Sequence, residues 1–157
     1  MRATTRRHVR IDRPAHEVWE VVGRPELLHL WFPGIVGCTV EGDRREVTVA
    51  TGTSMSERIV TNDPVLHRFQ YSLEGPLFRD HLASIDVIDL DDGTCLAVYA
   101  TDADPATMAL VLGGAAGAAL EELRRQVESG EGPAGEAARA GLAGPKNPGH
   151  RNEFVRG

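Results

Sequence analysis

The chain is 157 residues long, 41% hydrophobic and 25% charged, with a formal net charge of −6. That length suits a single domain with one core, and the apolar content excludes an intrinsically disordered chain. The acidic balance repels phosphate backbones and argues against nucleic acid as a partner.

The N-terminal segment Met1 to Arg10 is basic, but no apolar run follows it, so it reads as a strand rather than a secretory signal. Within Thr4 to Ile11, alternation turns Val9 and Ile11 inward and His8 and Arg10 outward. Asp12-Arg13-Pro14 then marks the entry to a short helix, Ala15 to Val22, which Gly23 ends. A second short helix, Glu26 to Trp31, stops at Pro33-Gly34.

Extended segments follow. Ile35 to Glu41 places Val36, Cys38 and Val40 on one face, and Glu46 to Thr51 alternates through Val47 and Val49. Met55 to Thr61 comes next, and Asn62-Asp63-Pro64 breaks it. Leu66 to Leu73 carries Phe69, Tyr71 and Leu73 on one face and ends at Glu74-Gly75-Pro76. His81 to Leu90 and Thr94 to Thr101 flank the hairpin turn Asp91-Asp92-Gly93. Short strands joined by polar turns predict an antiparallel meander.

Asp104-Pro105 then supplies an N-cap and first-turn proline for a long helix. Met108, Val111, Leu112, Ala115, Ala119, Leu123 and Val127 predict its buried stripe, and Gly130 its stop. No apolar run is long enough to span a bilayer, so membrane insertion is not expected. Residues 131–157 are rich in Gly, Ala and Pro with no apolar period, and are expected to form a flexible tail after a domain spanning 1–130.

The predicted fold is α+β: a curved antiparallel sheet of about seven strands wrapped around the long C-terminal helix, with two short helices closing one end. Such a sheet encloses a cavity unless large side chains fill it. Gly113, Gly114 and Gly117 each cost about 1 kcal/mol in a helix relative to alanine. Three explanations stand open: room for a ligand, close approach of helix and sheet, or compositional bias.

Trp31 and Phe32 at the second helix, Phe69, Phe78 and Tyr99 suit the wall and mouth of an apolar pocket. Met55, Ala83, Met108, Val111, Leu112 and Ala115 complete the candidate ligand-binding set. Packing alone also accounts for each aromatic taken singly.

Glu57 shares its strand parity with Met55 and Ile59, and Tyr71 and His81 share theirs with Phe69 and Ile85. A Glu57–Tyr71–His81 group in an apolar cavity would move protons or orient a ligand's polar end. A buried Glu57 needs a partner, for which Arg7, Arg58, Arg79 and His81 are the candidates. Against this, Glu57 at a wet sheet edge and His81 capping a loop would make all three ordinary residues. Ser54 and Ser56 lack a nucleophile-elbow context, and Gly113-Gly114 lies inside a helix, not in a phosphate loop. No histidine, cysteine or acidic group has metal-ligand spacing, so neither metal nor cofactor is expected. The two cysteines, Cys38 and Cys95, predict reduced core thiols and a cytoplasmic protein.

These residues resemble the START-like, or SRPBCC, superfamily, and within it the bacterial polyketide cyclase/dehydrase and lipid transport proteins. The resemblance rests on Ile11-Asp12-Arg13-Pro14-Ala15 with Val18-Trp19, on Trp31-Phe32-Pro33-Gly34-Ile35, and on Cys38-Thr39-Val40-Glu41-Gly42. Glu57-Arg58-Ile59-Val60 and Tyr71-Ser72-Leu73-Glu74-Gly75-Pro76-Leu77 extend it, so that it covers residues 3–129. It implies the helix-grip fold and an internal site for a small hydrophobic, lipid- or polyketide-like molecule, or cyclase or dehydratase activity at that site. Similar sequences often carry tyrosine where His81 stands, so the substrate does not transfer. A homodimer is compatible with the sequence. A regulatory role with Lys146, His150, Arg151 and Arg156 as a contact arm is the remaining alternative.

Overall fold

The computed structural model describes residues 1–142. The alternating segments pair into one antiparallel sheet: β1 (Ala3–Ile11), β2 (Ile35–Glu41), β3 (Arg44–Val49), β4 (Ser54–Asp63), β5 (Arg68–Leu73), β6 (Asp80–Asp89) and β7 (Cys95–Asp104). Their order across the sheet is β1-β7-β6-β5-β4-β3-β2, so β2 to β7 form a meander and β1 closes onto β7. The short helix α1 (Ala15–Val22) is followed by one 3-10 turn, Pro25–Leu27, running into α2 (Leu28–Trp31). The long helix α3 (Ala106–Ser129) packs on β1 and β7. This is the helix-grip architecture.

Strand parity decides what faces the helix. Cys95, Ala97, Tyr99, Thr101 and Ala103 of β7 are all buried, while the residues between them sit half-exposed on the other face. Val36 departs from its expected inward place. A bulge between Ile35 and Gly37 turns it out, 60% exposed.

The buried stripe of α3 holds in its second half, where Ala119, Leu123 and Val127 are buried as expected, and differs in its first. There Ala109, Gly113 and Ala116 face the sheet, whereas Val111 lies outside. Small residues face inward because helix and strand backbones come close. A Cβ on Gly113 would stand 2.5 Å from Thr5 Oγ1, and the Thr5 hydroxyl donates to the Ala109 carbonyl at 3.2 Å. Among the described residues, a Cβ on Gly114 would meet nothing within 4 Å beyond its own helix turn. By length and composition α3 would also span a bilayer, and it is the only such helix among the described residues.

Asp104 does not cap α3. Pro105 holds that position without a side-chain bond, and Asp104 instead accepts two bonds from Arg79, Nε to Oδ2 at 3.0 Å and Nη2 to Oδ1 at 2.5 Å.

The expected tail is in part structured. Gly132–Leu142 forms α4, which packs on α1 and α3 with Ala134 and Ala138 buried. The Ala134 N–H donates to Gln126 Oε1 at 2.7 Å, while Gln126 Nε2 donates to the Leu30 carbonyl at 3.0 Å. A Cβ on Gly135 would meet the Gln126 carbonyl oxygen at 2.4 Å. The helix docks by backbone approach through small residues, which leaves no apolar period to read. The folded unit thus runs past residue 130 to at least 142. Lys146, His150, Arg151 and Arg156 lie outside the described residues.

Candidate functional site

Between α3 and the strands β4 and β5 the interior is not filled. A cavity of about 380 Å³ remains there. Leu112 and Ala115, three residues apart and so on one helix face, form its roof. Met55 and Glu57 of β4 and Tyr71 and Leu73 of β5 form its floor, because all four point inward from adjacent strands. Leu28, Phe32 and Ile35 close one side. The turn Val49 to Thr51 borders the mouth, tied to the α2–β2 connection by the Ala50 N–H donating to the Gly34 carbonyl at 2.8 Å.

The polar floor rests on a residue that the sequence reading missed. Arg45 is 2% exposed and stands directly opposite Glu57 in the β3–β4 register. Its Nε donates to Glu57 Oε2 at 2.5 Å and its Nη1 to the Pro25 carbonyl at 3.3 Å. The guanidinium carbon lies 5.2 Å from the Phe69 ring centre and 4.9 Å from that of Tyr71, a cation–π arrangement. Its Nη2 is buried with no partner among the described residues. None of the four expected partners reaches Glu57. Arg7 donates to the Gly113 carbonyl, Arg79 pairs with Asp104, Arg58 points to solvent, and His81 is used elsewhere.

Burial pushes the Glu57 carboxyl up from its ordinary range, and the Arg45 charge and hydrogen bond only partly oppose this. Tyr71 is pushed well up by burial and then by its neighbour Tyr99, to whose hydroxyl its own is hydrogen-bonded. Both hydroxyls are therefore neutral near pH 7, so they exchange hydrogen bonds rather than charge.

His81 faces inward as expected, with its ring centre 5.8 Å from that of Tyr71, but it does not border the cavity. Its Nδ1 accepts the Leu73 N–H at 2.9 Å, and burial lowers its pKa to about 4. It is a neutral acceptor holding the end of β5, with Phe78 edge-on at 5.3 Å.

Of the expected lining residues, Phe32, Met55, Leu112 and Ala115 border the cavity with Glu57 and Tyr71. Trp31, Phe69, Ala83 and Tyr99 are buried but do not line it; they pack behind it in the core. Phe78 borders a neighbouring cleft. Met108 lies outside the lining, and Val111 is 64% exposed on the outer side of α3, since the helix turns its small-residue face inward.

A larger groove of about 740 Å³ crosses the opposite face of the sheet. Its walls mix apolar side chains such as Leu82, Ile88, Leu96 and Val98 with polar ones, of which Arg68 pairs with Asp86 at 3.2 Å and Gln70 with Ser84 at 2.9 Å. Among the described residues no cluster suits a metal ion, and Cys38 and Cys95 are free thiols.

The family model for polyketide cyclase / dehydrase and lipid transport proteins matches residues 2–128. Solved structures share the fold. A Thermobifida fusca protein is 27% identical, with a TM-score of 0.63 over 87% of this chain and 93% of its own. The protein XoxI from Bacillus cereus is 21% identical, with a TM-score of 0.73 over 78% of this chain and 94% of its own. Norcoclaurine synthase from Thalictrum flavum, solved with dopamine and hydroxybenzaldehyde, is 17% identical, with a TM-score of 0.67 over 83% and 89%. A comparison with curated proteins finds no match.

Proposed function

The chain belongs to the polyketide cyclase / dehydrase and lipid transport family, and from that premise we propose that it binds a small hydrophobic, lipid- or polyketide-like molecule in the interior cavity. One observation carries this reading: a room of about 380 Å³ bordered mainly by apolar side chains, with the Glu57 carboxylate and the Tyr71 ring on one wall. That volume falls within the ~300–1,000 Å³ of small-molecule sites, and a few polar groups in an apolar wall are how such sites fix orientation. Glu57, held from behind by Arg45, presents its other oxygen as an acceptor or, when protonated, a donor for the ligand's polar end. The free thiols of Cys38 and Cys95 support a reducing compartment, the cytoplasm, as the place of action.

A second reading is a cyclase or dehydratase. It is favoured by the raised Glu57 carboxyl, which lies closer to the range useful for general acid–base work. Binding is preferred because His81 is committed to the Leu73 N–H and, among the described residues, no second carboxylate or imidazole borders the cavity with Glu57.

The test is displacement of a fluorescent apolar dye, anilinonaphthalene sulfonate, by lipids and aromatic polyketides, with native mass spectrometry of the purified protein. Saturable displacement at one site per chain supports binding. A dye that never binds, or that no apolar competitor displaces, removes it. Turnover of a linear poly-β-ketone that is lost on Glu57→Gln, in a variant shown by circular dichroism to remain folded, would establish the enzyme reading instead.

A further inference from the structure

Strand β5 ends at Leu73, while β4 begins at Ser54, so among the described residues the first of β4 have no strand partner on that side. The last rung is the Glu74 N–H donating to the Ser56 carbonyl at 2.9 Å. Beyond it the β5–β6 loop swings away. Gly75 has a φ of +138°, and the Arg79 N–H fastens the far end of the loop to the Asp104 carbonyl at 2.8 Å. A cleft of about 370 Å³ opens between this loop and Thr53 to Ser56 at the start of β4, with Pro76, Leu77 and Phe78 along its loop side.

This cleft and the interior cavity are neighbours. Met55 and Leu73 border both. Leu73 is 7% exposed, set opposite Glu57 in the β4–β5 register and fixed by the bond from its N–H to His81. Met55 is only half-buried, and an unbranched thioether with three rotatable bonds swings aside more readily than any branched side chain. The partition between the two spaces is therefore one adaptable side chain beside one fixed one.

We propose that cavity and cleft form a single ligand path gated by Met55, and that the ligand is an elongated amphiphile with one polar head. This rests on the binding reading above. The head meets Glu57 and Tyr71, and the apolar chain runs past Met55 into the cleft between β4 and the β5–β6 loop. Apolar walls at Met55, Leu73, Leu77 and Phe78 suit a hydrocarbon chain. A compact fused-ring ligand would need only the interior half.

The experiment measures displacement of anilinonaphthalene sulfonate by octanoate, dodecanoate and hexadecanoate. It uses the full chain, Met55→Ala and Ser54→Phe. Ser54 is exposed at the cleft and away from the core, so a bulky residue there obstructs the outer path without disturbing folding. Thermal unfolding of each variant checks this. The readout is the ratio of hexadecanoate to octanoate affinity. It is expected to rise about tenfold in Met55→Ala and to fall about tenfold in Ser54→Phe, since two further buried methylenes correspond to about that factor. A ratio that is the same in all three proteins, with each fatty acid still displacing the dye, overturns the shared path. Wild-type protein from which an aromatic polyketide but no fatty acid displaces the dye overturns the elongated ligand and leaves the binding reading standing, whereas a dye that no apolar competitor displaces overturns both.

Discussion

Arg45 and Glu57 face each other across β3 and β4 inside the molecule, Nε to Oε2 at 2.5 Å, with side chains 2% and 4% exposed. Two charges removed from water are stabilising only as a pair, and the pair is no better than a well-packed apolar replacement. Replacing Glu57 by Gln leaves the guanidinium buried without a counter-charge. Chemical denaturation of Glu57→Gln should show a loss of about 3–5 kcal/mol. The double variant Arg45→Met/Glu57→Leu should regain most of that loss. A single variant within about 1 kcal/mol of wild type would mean that water reaches the pair.

Ala115 roofs the cavity with a methyl group, so a larger side chain there fills the empty volume. Ala115→Phe is expected to weaken dye binding at least about tenfold. Its stability should stay within about 1.5 kcal/mol of wild type, because the new ring enters space that is already empty. Equal dye affinity in the two proteins would place the dye elsewhere.

The helix glycines separate by what lies beside them. A methyl at Gly113 collides with Thr5, so Gly113→Ala should destabilise by about 1–3 kcal/mol. A methyl at Gly114 would meet nothing within 4 Å among the described residues outside its own helix turn, and Gly114→Ala should stabilise by about 0.4–1 kcal/mol through the unfolded chain. Thermal midpoints that move in the same direction would contradict the assignment of Gly113 to helix–sheet approach.

His81 makes stability depend on pH. Burial lowers its pKa from 6.5 to about 4, so the unfolded chain takes up a proton at a pH where the folded one does not. Its stabilising contribution is whole above pH 6.5 and is lost as pH falls toward about 4, a change of roughly 3 kcal/mol. Unfolding free energies measured across this range should fall accordingly. His81→Asn keeps an acceptor for the Leu73 N–H and should flatten the profile.

The strand pattern and the gripped helix were legible because alternation and turn residues are local signals. Even so, starting β3 at Glu46 hid Arg45, whose parity with Val47 and Val49 would have placed it beside Glu57. A charged residue at an inward position is discounted until a partner is found, and this partner lies on another strand. Phe32, Met55, Leu112 and Ala115 were found at the cavity because helix and strand parity agree there. Val111 lies outside because close backbone approach, not side-chain size, selects the inward face in the first half of α3. The same effect concealed α4.

The interior cavity is tested most directly by heteronuclear NMR of the labelled protein titrated with dodecanoate. Perturbed signals should converge on Phe32, Met55, Leu112 and Ala115 and saturate at one ligand per chain. Shifts confined to Leu82, Val98 and the other walls of the outer groove, with the interior signals unmoved, would contradict it.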